Sequence, residues 1–214
     1  MSALIDLHIA QTPANATFFA AALASAQAFP ADVNIYSVTG QPTVLAARIA
    51  GYSQGTAPYV SLLDDDDLVE NLPAVTAFLT AKSPDALYTN SNIIDSAGNI
   101  TGRYFSPGHV ARKSTLFNGG KSPHQLMVMK RSLVDSCLTG VIKCAEALGT
   151  TNDAAWPADY ALKLEIALVT DWTYLNEVCY SYRVHTPQTS TNSNRCYGAI
   201  LKYYAAKFAA KRRS

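Results

Sequence analysis

The sequence predicts a single α/β domain with a mixed, mostly parallel sheet flanked by helices. Its first half alternates short apolar segments with longer helical ones, as expected of parallel strands joined by crossover helices. A length of 214 residues, 49% of them hydrophobic, suits one domain with a buried core. Charged residues make up 15% of the chain, and this composition excludes disorder for most of it. No apolar run approaches the ~20 residues of a membrane-spanning helix, which excludes an integral membrane protein.

Strands and helices alternate up to residue 82. Residues 3–10 alternate apolar and polar side chains, as a strand does. Thr12 and Pro13 suit the start of a helix, which Pro30 ends. The same reasoning predicts further strands at 33–38 and 58–63, and further helices at 44–52 and 71–82.

The second half predicts a mixed arrangement. Residues 86–94 and 100–105 flank an Asp-Ser-Ala-Gly turn and predict a hairpin, whereas the Gly- and Pro-containing residues 106–124 predict a loop. The other predicted elements are a strand at 126–129, a helix from 132, a helix at 159–169, a strand within 172–184, a loop at 185–194 and a helix at 197–213. The last helix is amphipathic, with one apolar face. We therefore expect a domain over 1–190 and a basic C-terminal helix over 191–214 that packs on it or extends from it.

The four cysteines occur at no metal-ligand spacing and include no Cys-x-x-Cys pair. The first ten residues lack the basic segment of a secretory signal. Together these features predict reduced thiols and a cytoplasmic protein.

The net charge of +1 conceals an asymmetry between the body and the C-terminal end of the chain. From Val178 to Ser214 there are seven basic residues and no acids, whereas the preceding residues hold ten bases and sixteen acids. A basic end on an acidic body predicts an anionic partner, although a terminus kept soluble by its lysines explains the charges equally well.

Four consecutive aspartates, Asp64 to Asp67, follow the apolar run 59–63. Ligands of open α/β sheets bind at the carboxyl ends of strands. In extended geometry Asp64 and Asp66 project to the same side, and their oxygens suit Mg²⁺ or Mn²⁺. The cluster therefore predicts a metal site, with helix capping near Asn71 or a solvated loop as the alternative.

Four segments in order resemble the family-two nucleotide-sugar glycosyltransferases of the GT-A fold. Residues 47–67 are similar to the family's "aRN-x-G…a-x-G-x-Y-I-x-F-L-D-x-D-D", and 126–133 to its "vmfRrsl". Residues 158–164 are similar to its "E-D-x-x-L-x-x-R" helix, and 182–190 to its "Y-R-x-H…S-x-S" segment. The resemblance covers most of residues 3–190 and implies a GT-A fold.

The resemblance also implies a site for a donor and a metal ion. A nucleoside diphosphate sugar, most simply a UDP-sugar, would be contacted by Arg48, Asp64 and Asp65. Mn²⁺ or Mg²⁺ would be held by Asp66 and His185, with Asp64 reaching the metal, a metal-bound water or the ribose. Asp67 would support the site.

Inverting transfer needs one general base to take the proton of the acceptor hydroxyl. By resemblance this base is Asp159, at the start of its helix. That position equally suits a helix-capping carboxylate.

The chain departs from the family pattern at three places. No acid follows the second strand, where the family has an Asp that meets the nucleobase. The acid before the base is replaced by Ala158, and Asn15 is the sole possible remnant of the first-strand "P-x-Y-N".

The predicted function is metal-dependent, inverting transfer of a sugar to an acceptor hydroxyl. The basic C-terminal end fits nucleic acid or an anionic membrane surface that carries a lipid-linked acceptor. Of the acceptors, we expect nucleic acid, such as hydroxylated bases in phage-type DNA modification, over a saccharide or protein. The alternative function is a non-catalytic nucleotide- or sugar-binding module.

Overall fold

The computed structural model describes residues 3–11, 15–29, 33–117, 123, 126–154, 156–186 and 196–213. Its strands are β1 (Ile5–Ala10), β2 (Val33–Val38), β3 (Tyr59–Asp64), β4 (Leu68–Val69), β5 (Ala86–Ile94), β6 (Ile100–Tyr104), β7 (Met127–Lys130) and β8 (Thr173–Arg183). Its helices are α1 (Ala16–Gln27), α2 (Val44–Tyr52), α3 (Leu72–Lys82), α4 (Arg112–Phe117), α5 (Arg131–Ala147), α6 (Ala158–Ala167) and α7 (Tyr197–Lys211).

The strands form one mixed sheet in the order β2-β1-β3-β7-β5-β8-β4, with β6 also paired to β5. The parallel pairs β1–β2, β1–β3 and β5–β8 have the longest registers, and the pairs β3–β7, β5–β7, β5–β6 and β4–β8 are antiparallel. This confirms the fold class expected from the sequence, a mixed and mostly parallel sheet flanked by helices.

The carboxyl ends of three neighbouring strands meet at one edge of the sheet. Ala10, the last residue of β1, is in register with Val38 of β2 on one side and with Asp64 of β3 on the other. From β1 the chain passes first to β2 on one side of β1 and then to β3 on its other side, so the direction of winding reverses at β1. Such a switch point opens a crevice in which doubly wound folds bind ligands.

Helices cover both faces of the sheet because side chains alternate along each strand. On one face α1 and α3 pack over the buried residues Ile5, Leu7 and Ile9 of β1. On the other face α2, α4, α5, α6 and α7 build the larger core, centred on the fully buried Trp156 and Tyr204. The four cysteines, all among the described residues, are free thiols.

Two elements differ from the sequence prediction. Residues 112–117, predicted as part of a loop, form helix α4. Its Thr115 and Leu116 are fully buried, so packing outweighs the flanking Gly and Pro residues. The two-residue strand β4 directly follows the aspartates and pairs with Tyr180 and Ser181 of β8, an interaction that gives no signal in the local sequence.

A buried ion pair fixes α2 and the loop after it against the sheet. The fully buried carboxylate of Asp6 pairs with Arg131, at the start of α5. The same guanidinium donates hydrogen bonds to the carbonyl oxygens of Tyr52 (2.8 Å), Ala57 (2.9 Å) and Gln54 (3.1 Å). Since α2 carries Arg48, this arrangement also positions one of the candidate site residues.

Helix α7 packs along α6, with Ile200 and Tyr204 buried. Lys207 binds both carboxylate oxygens of Glu165 at 2.6 and 2.7 Å. Lys211 donates to the carbonyl oxygen of Leu168, 3.2 Å away. Arg183 of β8 likewise donates to the carbonyl oxygen of Asp66. Three of the seven C-terminal bases therefore interact within the fold, which weakens the inference of an anionic partner drawn from them.

We expect Gly140→Ala to loosen this helix packing. A methyl group at Gly140 of α5 would overlap the carboxylate of Glu165, the group that binds Lys207. Overpacking of this kind costs about 1–3 kcal/mol in the free energy of unfolding. Gly198→Ala in α7 is the matched control, because nothing lies within 4 Å of its added methyl group. Urea denaturation measures both, and equal stabilities would show that Glu165 moves aside freely.

Candidate active site

The aspartate cluster forms a tight turn at the carboxyl end of β3. The amide of Asp67 donates a hydrogen bond to the carbonyl oxygen of Asp64, 3.1 Å away, which closes the turn. The turn sends the four carboxylates toward different partners, so their mutual repulsion is partly relieved.

Two of these carboxylates hold the turn in place. Asp67, which is 1% exposed, accepts hydrogen bonds from the hydroxyl of Tyr180 (2.6 Å) and the amide of Arg183 (2.7 Å). Burial, with the nearby charges of Asp64 and Asp66, raises the pKa of Asp67 well above its usual value. Asp65 accepts a hydrogen bond from the side-chain amide of Asn15, 2.8 Å away.

Arg48 of α2 reaches the same edge of the sheet. Its Nη2 lies 2.7 Å from Oδ1 of Asp64, and its side chain is 9% exposed. Burial alone would lower the pKa of Arg48, but the charges of Asp64 and Asp159 and the proximity of Tyr52 raise it. Its Nε and Nη1 are buried and have no hydrogen-bond partner among the residues that the structure describes. A buried guanidinium with unsatisfied donors suits an anionic ligand.

Asp159 lies in the first turn of α6, close to Arg48. Its Oδ2 is 3.3 Å from the ammonium of Lys163, one turn further along the helix. Burial alone would raise the pKa of Asp159, but Lys163 and Arg48 outweigh it and lower this pKa. The carboxylate is 29% exposed and ionised, so it can accept a proton from a bound hydroxyl.

Asp66 faces His185, in the segment that follows β8. Oδ2 of Asp66 lies 2.9 Å from Nε2 of His185. Burial, with the charge of Asp64, raises the pKa of Asp66, while its hydrogen bond to His185 opposes that rise.

The pair Asp66–His185 fits a divalent cation as two of its ligands. Two neighbouring ligands of an octahedral cation at about 2.1 Å lie about 3.0 Å apart, close to the separation found here. A cation bound together with a diphosphate takes its remaining ligands from phosphate and water. No group of three or more His, Cys, Asp or Glu side chains that could hold a metal ion occurs within the described parts of the chain. Asp64, expected from the sequence to reach the metal, forms its ion pair with Arg48.

A cavity of about 490 Å³ opens beside this pair. It lies between the first turn of α1, the turn after β5 and the segment after β8, and is lined by Thr17, Phe18, Asp95, Ser96, Val184, His185 and Thr186. The Phe18 ring is 4.8 Å from the His185 ring and 4.8 Å from the Arg183 guanidinium carbon. The volume of the cavity lies within the range of small-molecule binding sites.

The structure brings the sequence-predicted residues to one edge of the sheet in two groups. Arg48, Asp64 and Asp159 form one charged group, and Asp66 with His185 forms the other.

Sequence reasoning assigned no role to four further residues: Arg183, Tyr180, Lys163 and Asn15. The spacing of Lys163 four residues after Asp159 was the available signal for that ion pair. Arg183 donates a hydrogen bond to the carbonyl oxygen of Asp66, 2.6 Å away. It is the arginine of the segment at 182–190 that is similar to "Y-R-x-H…S-x-S".

A comparison with solved structures finds proteins of similar fold. The chain is similar in fold to TarS of S. aureus. It aligns with the crystal structure of TarS 1-349 in complex with UDP-GlcNAc with a TM-score of 0.66, at 12% identity over 96% of this chain. The structure of TarS 1-349 in complex with UDP aligns with a TM-score of 0.59 at 13% identity over 94% of this chain.

The likeness covers only part of TarS. This chain spans 66% of TarS 1-349 in its UDP-GlcNAc complex and 43% of a longer TarS chain, to which it aligns with a TM-score of 0.60 at 13% identity. No protein-family model and no curated protein sequence matches the chain. At such low identity the likeness establishes that this chain shares the fold of TarS, and nothing more. No helix among the described residues is long and apolar enough to cross a membrane.

Proposed function

We propose that this protein is a metal-dependent, inverting glycosyltransferase that takes its sugar from a UDP-sugar. The observation that carries the proposal is the grouping of Arg48, Asp64, Asp66, His185 and Asp159 at the carboxyl edge of a sheet whose fold matches TarS. TarS was crystallised with UDP-GlcNAc and with UDP, which supports this class of donor.

The buried cation of Arg48 would bind the donor. Its Nε and Nη1 can donate to the diphosphate or ribose while Nη2 holds Asp64. Asp64 and Asp65 border the β1–β3 crevice, where a nucleotide would lie. A nucleobase-binding acid is absent from the end of β2, so backbone groups and uncharged side chains would recognise the base.

The proposed reaction is a single displacement. The acceptor oxygen attacks the anomeric carbon while Asp159 takes its proton, and the bond from that carbon to the diphosphate breaks with inversion. Asp66 and His185 would hold Mn²⁺ or Mg²⁺, which when bound neutralises charge on the leaving diphosphate. Asp65 and Asp67 keep the turn in place through Asn15, Tyr180 and Arg183.

The test is an assay of sugar transfer that also detects donor binding. The protein with Mn²⁺ is incubated with a panel of nucleotide sugars and with two acceptor classes, saccharides and duplex DNA bearing hydroxylated bases. Release of nucleoside diphosphate only in the presence of an acceptor supports the proposal. Donor binding without turnover would instead favour the non-catalytic binding module.

The acceptor is proposed as a compound with a free hydroxyl, with nucleic acid as one candidate. Among the bases that favoured nucleic acid, Lys207, Lys211 and Arg183 interact within the fold, whereas Arg195 lies outside the described residues. Binding to a phosphate backbone would weaken steeply with salt, and a transfer rate independent of salt would favour the saccharide.

We expect Asp66→Asn to abolish the response of the protein to Mn²⁺. Wild-type protein should show a higher melting temperature with Mn²⁺ and UDP, because both bind only the folded state. The amide is a weaker metal ligand, so the shift and the transfer activity should be lost together. Asp85→Asn is the control, because that carboxylate is exposed and pairs with Lys130. Full activity of wild-type protein in EDTA would contradict metal dependence.

A further inference from the structure

Lys163 is a buried cation in a mostly apolar stretch of α6. Its side chain is 9% exposed. The other residues of α6 after Asp159, from Tyr160 to Ala167, are also buried, and most of them are apolar. A lysine in such a place is rare unless it is paired, because its ammonium loses its hydration.

The partner of Lys163 is the carboxylate proposed as the general base. The two side chains are one helical turn apart, with the acid toward the N-terminus, the favourable order for such a pair on a helix. Arg48 approaches Asp159 from α2, the helix that also carries Tyr52. The backbone amide of Tyr160 donates a hydrogen bond to the Asp159 carboxylate. Asp159 thus lies between two cations on different elements.

The two cations differ in how many carboxylates they approach. Arg48 also binds Asp64, at 2.7 Å, so its charge is shared between two carboxylates. The ion pair of Lys163 within 4 Å is with Asp159. Among the described residues Lys163 forms no ion pair with the aspartate cluster, so its direct electrostatic partner is the proposed base.

We propose that Lys163 is a positioning residue for sugar transfer: its ammonium, 3.3 Å from Oδ2 of Asp159, fixes the orientation of that carboxylate. This inference rests on the proposed function, because it concerns the base of that reaction. Lys163 itself touches no reacting atom.

The consequence for pH dependence follows from the charges. Loss of the ammonium removes the strongest attraction that lowers the pKa of Asp159, so this pKa rises. Transfer requires the ionised base, so the acidic limb of the pH–rate profile should move to higher pH. Below the limb, the rate falls about tenfold for each pH unit that the limb has moved.

The experiment compares Lys163→Met with Lys163→Arg, which retains a cation. Two profiles are measured for each: kcat/KM against pH, and the ¹³C chemical shift of the labelled Asp159 carboxyl against pH. Lys163→Met should move both to higher pH with little change in UDP binding at pH 8, whereas Lys163→Arg should keep both near the wild-type position. Lys130→Met is the control, because its ion pair with Asp85 is exposed.

The outcomes separate this inference from the proposed function. An unchanged Asp159 titration in Lys163→Met overturns the inference, even if the protein transfers sugar as proposed. A moved titration with an unmoved rate profile also overturns it, and places the base elsewhere. If Lys163→Met does not fold, the comparison of Lys163→Arg with wild type decides: a large shift of the limb despite the retained cation would contradict the inference.

Discussion

Asp159→Asn is expected to reduce sugar transfer by about 10²–10⁴-fold while leaving binding of the UDP-sugar close to that of wild type. The amide is nearly the same size as the carboxylate but cannot take the proton of the acceptor hydroxyl. The donor should still bind, because the proposed donor contacts lie on α2 and at the end of β3. Single-turnover transfer and calorimetric binding of UDP measure the two effects separately.

Removal of this charge also disturbs the fold. Asn at this position leaves Lys163 without its anion and Arg48 with Asp64 alone. Loss of one partner of a buried pair costs about 3–5 kcal/mol, with the lower part of that range expected here because Asp159 is 29% exposed.

A double variant separates these two consequences. Asp159→Asn with Lys163→Met restores the local charge balance, so its melting temperature should recover toward that of wild type. Its transfer rate should stay as low as that of the single variant. Recovery of transfer in the double variant would mean that Asp159 serves the structure alone and that the base lies elsewhere.

Local patterns in the sequence predicted most of the elements. Strand β2, helix α2 and strand β5 have the bounds that the sequence predicts, since each is bracketed by turn or cap residues and has a consistent hydrophobic pattern. Capping by Thr43 at α2 and by Asn71 at α3 is an interaction over three residues. Such signals lie within a few residues of one another, so they can be recognised in the sequence without knowledge of the tertiary structure.

Contacts between distant parts of the chain were the part that could not be predicted. The charge count at the C-terminal end was correct, but Glu165 neutralises Lys207 from 42 residues away. Likewise nothing near Asn15 indicates that its amide binds Asp65, 50 residues further on. The resemblance to the family implied that Asp66 and His185 share a site. Their Oδ2 and Nε2 atoms lie 2.9 Å apart in the structure, and their role as metal ligands stays a prediction.

Arg48→Met is expected to produce the largest loss of stability among single substitutions at the site. It removes a cation that is 9% exposed and lies close to two carboxylates, Asp64 and Asp159. Methionine fills a similar volume but leaves Asp64 beside the other aspartates without its counter-ion. Breaking a buried ion pair from one side costs about 3–5 kcal/mol in the free energy of unfolding. The lower part of that range is expected here, because Asp64 is 34% exposed, and urea denaturation can measure it.

The matched control is Arg112→Met. Arg112 forms an ion pair with Asp171 at 3.6 Å, and both side chains are about half exposed. An exposed pair of this kind contributes about 0–1 kcal/mol, so the two arginine variants should differ by at least about 2 kcal/mol. Addition of Asp64→Asn to Arg48→Met should restore part of the loss, because it removes the unpaired charge. If the two substitutions were additive instead, Arg48 would act on stability through packing, and its charge would be available entirely to the proposed nucleotide donor.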